Sequence, residues 1–187
     1  MGRSGQLNGT VGPVPDGSDI LDLLAADHHR IGSVLAEGGS DIDVIRELSM
    51  HLYAEEEVLH PLLRRTVANG DDLADDLLDG DHQILVLLRE AEEKGVSPLT
   101  EELRDLLGRH RDAFATAAEQ ARAQVAPDEL ARLADVLLAT LAEAPTHPHP
   151  GLAAERGSLK PLLDAAASTV DHLRDRLHGH DEEKPKG

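Results

Sequence analysis

Eleven histidines in a chain of 187 residues without a single cysteine set the chemistry open to this protein. Nitrogen and oxygen ligands are available and thiolates are not. Sulfur-based zinc sites, iron–sulfur clusters, disulfides and cysteine nucleophiles are therefore excluded. The informative histidines are those that interrupt apolar seams. The runs Leu21, Leu24, His28, Ile31, Leu35; Val44, Leu48, His51, Glu55, Val58, Leu62; Leu78, His82, Leu85; and Leu103, Leu107, His110, Phe114, Ala117, Ala121 advance by threes and fours. That spacing keeps side chains on one helical face. Each of four segments thus sends one histidine inward, and the second also sends Glu55. His51 and Glu55, four apart, project from successive turns and can chelate one ion or bridge two. A buried carboxylate without a partner is costly and has a raised pKa, so a cation is expected beside Glu55, either a metal ion or a protonated histidine. Imidazole and carboxylate ligands suit iron, manganese or zinc, and softness does not choose among them. The competing reading is a metal-free His and Glu network in which every group is paired.

Helices must position these groups. Breakers fall at Gly38-Gly39, Asn69-Gly70, Gly95 and Pro127, and starts are marked by Ser18, Ser40, Asp71 and Ser97-Pro98. This predicts four helices over 18–37, 41–68, 72–94 and 98–125, joined by links too short for anything but antiparallel neighbours. The expected fold is all-α, an up-down-up-down four-helix bundle. With helix midpoints near residues 27, 54, 83 and 111, each seam histidine lies within about 6 Å of its midpoint level, so the four should converge on one layer. Pro127 opens a fifth helix with Leu130, Leu133, Leu137, Leu138 and Leu141 on one side, and the Pro/His tract from Ala144 to Pro150 stops it. A short C-terminal amphipathic helix is expected over 159–178, with Leu162, Ala166, Val170, Leu173 and Leu177. The organisation is then a flexible tail over 1–17, the helical bundle over 18–144, and a Pro/His strap, short helix and charged tail over 145–187. Tyr53 and Phe114 are the only aromatic residues, so the core must be built from Leu, Val, Ile and Ala, which suits close-packed helices.

Composition narrows the function. Eighteen basic against thirty-six acidic residues leave 18 − 36 = −18, which repels nucleic acid and anionic lipid alike. The first ten residues hold no apolar run, and Gln6 spoils a myristoylation pattern, so the chain reads as soluble and cytoplasmic. The acidic run Asp71, Asp72, Asp75, Asp76, Asp79, Asp81 lacks calcium-loop spacing and reads as a solvated face. Glu56, Glu57 and His29 are rotated off their seams, and His60, before Pro61, is expected at the surface. His147 and His149 read as parts of the strap, and His172, His178 and His180 as a polar face or a frayed end.

The segments LLAADHHRI, ELSMHLYAEEEVLHPLL and DGDHQILVLL resemble the hemerythrin-like, HHE-type cation-binding domain, and APTHPHP after a fifth helix is similar to an actinobacterial branch of it. The resemblance spans about residues 19–150, strong in the first three helices and weak in the fourth. It implies a four-helix bundle with a non-heme iron centre, commonly dinuclear. The implied roles are binding, detoxification or sensing of dioxygen, peroxide or nitric oxide, as in oxidative stress. Carried over by position, the ligands are His28, His51, Glu55, His82 and His110. The fourth helix departs from the pattern: Phe114 stands one turn after His110 where the family repeats its carboxylate, among Ala113, Ala115 and Thr116. Val86 likewise replaces the extra histidine of oxygen carriers. The centre is therefore expected to hold one or two iron ions, the second in question because of Phe114. The alternative is a metal-poor or metal-free helical scaffold acting through partner binding. A zinc hydrolase ranks lower, since no HExxH motif is present. The sequence does not decide whether the protein is an enzyme.

Overall fold

The computed structural model describes residues 17–149, all of whose regular structure is helical. Asp19 opens α1 (Ile20–Ala36) with a capping box: its carboxylate accepts from the Leu21 and Asp22 N–H groups at 2.8 and 3.0 Å, and Asp22 accepts from the Asp19 N–H. Ser40 caps α2 (Asp41–Ala54). The chain passes without a break through a π-helical turn, Glu55–Leu59, into α3 (His60–Thr66). After a tight reversal comes α4 (Gly70–Lys94), closed by Gly95 at φ 62°, a left-handed position that favours glycine. Thr100 caps α5 (Glu101–Gln124), so this helix starts three residues later than the Ser97-Pro98 signal predicts, and Pro127 opens α6 (Pro127–Glu143) as expected. The predicted short helix over 159–178, His172, His178, His180 and the tail up to residue 16 lie outside the described residues. Among the described residues no helix is long and apolar enough to cross a membrane.

Packing joins α4 to α5 and α3, α1 to α2 and α6, and α2 to α4 and α6. The apolar side chains form two clusters. One gathers Leu21, Leu24, Val58, Leu62, Leu77 and Phe114 with the inner face of α6. The other gathers Ile31, Leu48, Leu52, Ile84, Leu88 and Leu107. Along each of α1, α2, α4 and α5 the switch from one cluster to the other falls at buried polar residues: Asp27 and His28, His51 and Glu55, Asp81, and His110. A layer of ionisable groups is thus closed above and below by hydrocarbon.

The α4 seam differs from the expected one. Leu77, Asp81, Ile84 and Leu88 are buried, whereas His82 is exposed. The apolar doublets Leu77-Leu78 and Ile84-Leu85 support two phases equally, one residue apart. The inward phase places a carboxylate in the core, which is tolerable only because imidazoles on other helices face it.

Candidate metal centre

Three helices deliver three imidazoles to one point. His28 Nε2 lies 2.9 Å from His110 Nε2 and 3.1 Å from His51 Nε2. Glu55 closes the group, Oε1 lying 3.6 Å from Nε2 of both His28 and His51, and Oε2 3.3 Å from Nε2 of His110. One ligand atom from each of the four falls within 4.8 Å of the others, and all four residues are buried. Phe114, one turn beyond His110, sets its ring 4.5 Å from that of His28 at a 46° tilt.

The outer nitrogens of two of these imidazoles face carboxylates. His51 Nδ1–H donates to Asp27 Oδ2 at 2.8 Å, and the other Asp27 oxygen accepts from Arg30, which also pairs with Glu47 at 2.8 Å. This fixes the ring and leaves the His51 Nε2 lone pair aimed at the cluster. His110 Nδ1 lies 2.9 Å from Asp81 Oδ1. Sequence reasoning found neither carboxylate, because each sits beside a seam position in the sequence and serves a ring on another helix.

A second group adjoins the first through Glu55. His60 and Asp81, with Glu55, also offer ligand atoms within 4.8 Å of one another, and all three are buried. His60 is 4% exposed, so its expected surface position is corrected. In an α-helix a residue five after Glu55 would be turned about 140° from it. The π-helical turn, in which the His60 N–H donates to the Glu55 carbonyl, spends the extra residue and brings His60 back to the same side. Pro61 is the signal that was present: it lacks the N–H needed for an α-helical bond to Glu57, and its ring crowds that carbonyl.

The donor set could hold a cation. Glu55 is fully buried, and neither of its oxygens has a hydrogen-bond partner; both Asp81 oxygens and His60 Nε2 share that condition. Burial pushes the Glu55 carboxyl upward, against the pull of His110 and His51. Burial and the neighbouring His51 and His110 drive His28 far below the ordinary imidazole range, and burial also lowers His60. Burial alone would lower His110 too, but Glu55 and Asp81 outweigh it and raise it to about 9. Burial would raise Asp27, and His51 and Arg30 outweigh it and hold it low. Without an ion, the surroundings of His110 favour its charged form.

Of the predicted ligands, the structure brings His28, His51, Glu55 and His110 together and leaves His82 outside. His29 is exposed, while Glu56 and Glu57 are half-buried on the flank. His147, exposed, meets Glu92 at 2.6 Å and belongs to no ligand group. Comparison of the chain with family models, curated proteins and solved structures gives no match.

Proposed function

We propose that this is a hemerythrin-like, non-heme iron protein: an up-down-up-down bundle of α1, α2 continued through α3, α4 and α5, with α6 as a fifth helix, working on dioxygen, peroxide or nitric oxide. The observation that carries the reading is the buried Glu55 carboxylate, without a hydrogen-bond partner, facing Nε2 of His28, His51 and His110. Those four residues would hold one ion. A second would share Glu55 and take His60 and Asp81, which compensates for the carboxylate that Phe114 replaces. The absence of cysteine suits a reducing, cytoplasmic setting.

Iron held there would supply the redox chemistry toward a small oxygen or nitrogen ligand. The chain's own residues do the rest. Asp27 keeps the proton of His51 on Nδ1, so Nε2 stays a donor of electrons. Asp81, with Oδ1 2.9 Å from His110 Nδ1, acts on that ring through its charge. Phe114 and the two apolar clusters surround the layer with hydrocarbon on the sides they cover, which strengthens the charge interactions there.

The test is metal content per chain by mass spectrometry after loading with ferrous iron in the absence of air. Wild type should retain one or two ions and Glu55→Gln none. A helical chain that retains no iron, zinc or manganese would favour the second reading, a scaffold in which protonated His110 alone neutralises Glu55; the raised His110 pKa is the observation on its side.

A further inference from the structure

A cavity of about 260 Å³ runs from the surface to the imidazoles of His28 and His51. Its walls are of two kinds. Ile31 and Leu35 of α1, Leu48 of α2 and Leu107 of α5 give it a hydrocarbon lining, and Arg104 and Arg111 of α5 stand at its exposed side. The arginines are seven residues apart, so they lie on one face of α5 two turns apart, about 10 Å along the axis. Neither has a carboxylate at ion-pair distance among the described residues, in a chain with twice as many acidic as basic side chains. Among the described residues Arg30, Arg46, Arg64, Arg65, Arg89 and Arg122 hold carboxylates, and of the four arginines that do not, Arg104 and Arg111 are the two that line this cavity.

Gly32 is a further piece of that wall. It sits inside α1, where glycine is disfavoured relative to alanine. No positive φ requires it, and a Cβ built there would meet nothing within 4 Å. Gly80 and Gly108 have similar free space but do not line this cavity. At position 32 the missing side chain widens a passage that ends on two of the cluster's imidazoles.

We propose that this cavity binds an amphipathic monocarboxylate of medium chain length, its headgroup held by Arg104 and Arg111 and its tail laid along Ile31, Leu35, Leu48 and Leu107. An inorganic oxyanion would satisfy the arginines but leave the apolar wall wet. A neutral apolar molecule would leave both guanidinium groups without an anion. The volume admits a small molecule and not a folded partner, standing just below the usual range of drug-sized sites. The bound tail would lie between solvent and His28, so this ligand would govern what reaches the cluster. That consequence rests on the metal-centre reading; the binding itself does not, because no group holding the ligand is a ligand of the ion.

The experiment is calorimetric titration of the full chain, metal-free and iron-loaded, with hexanoate, octanoate, octanol and octylammonium. Octanoate should bind in both forms, about sixteenfold more tightly than hexanoate, since each buried methylene is worth about fourfold. Octanol should bind at least about tenfold more weakly, and octylammonium not at all. Arg104→Gln and Arg111→Gln, both at exposed positions, should each weaken octanoate about tenfold, the scale of a charge-assisted hydrogen bond. Gly32→Leu, which favours the helix and fills the passage, should abolish binding with helix content retained. Equal affinity for octanol or octylammonium, undiminished binding to Gly32→Leu, or no octanoate binding would each overturn the proposal. Octanoate binding without iron retention would leave the cavity assignment standing and remove the metal centre; iron retention without octanoate binding would do the reverse.

Discussion

Asp81 Oδ1 lies 2.9 Å from His110 Nδ1 and Asp81 Oδ2 3.4 Å from His60 Nε2, so one carboxylate of α4 serves imidazoles from α5 and α3. The neighbouring His82 points outward. The two residues therefore have opposite expected behaviour on substitution. Asp81→Asn should lower the number of ions retained and weaken the remainder about 10- to 100-fold, the usual effect of losing a carboxylate behind a metal-ligating histidine. His82→Ala should retain metal like wild type and change the free energy of unfolding by about 0.5 kcal/mol at most. Metal analysis and urea denaturation of the two variants check this, and loss of metal from His82→Ala alone would restore the seam phase that the sequence suggested.

Asp27 performs the same service for His51, with Arg30 and Glu47 behind it. Asp27→Asn keeps the volume but offers an amide in place of one carboxylate oxygen, so the His51 ring loses its fixed tautomer. Affinity for the ion should fall about 10- to 100-fold, measured by competition with a chelator of known strength. Because Arg30 would retain Glu47, the fold should survive, and circular dichroism should match wild type.

The seam argument located His28, His51, Glu55 and His110 because each stands alone among apolar neighbours three and four residues away. On α4 the doublets at 77–78 and 84–85 made two phases equivalent, and the choice between Asp81 and His82 depended on which imidazoles other helices would present. That is tertiary information. His60 was hidden for a local reason: the π-helical turn at Glu55–Leu59 breaks the 100° step on which seam counting relies. The helix boundaries were legible at Ser40, Gly95 and Pro127, where caps and breakers act through the backbone itself. Arg104 and Arg111 carried no such signal, since two exposed cations seven apart read as solvated until the cavity between them and His28 is seen.

Gly70 opens α4 where the reversal from α3 is tightest. A Cβ there would stand 1.8 Å from the Leu63 carbonyl oxygen, and the Gly70 N–H donates to Val67 at 2.9 Å. Helix propensity alone would make Gly70→Ala favourable by about 1 kcal/mol. The clash is with backbone, which cannot step aside as a side chain does, so the variant should instead lose about 3 kcal/mol or more in urea denaturation. A neutral result would mean that α3 and α4 approach less closely than this.

The metal-free protein should have a stability optimum near neutral pH, bounded by different residues on each side. His110, raised to about 9, binds its proton more tightly folded than unfolded. Its contribution is fully present below the unfolded value of about 6.5 and is lost as pH rises through about 9. His28 and His60 are held below the ordinary value, so the unfolded chain takes up their protons first, and stability falls as pH drops below about 6.5. Urea midpoints at pH 5, 7 and 9.5 should trace this dome in metal-free protein. With iron bound, the ion replaces the proton of His110 as the partner of Glu55, so the alkaline fall should vanish while the acid fall steepens, because protons then compete with the ion for three imidazoles and a carboxylate. Identical pH profiles with and without iron would mean that the ion, if retained, binds somewhere other than this layer.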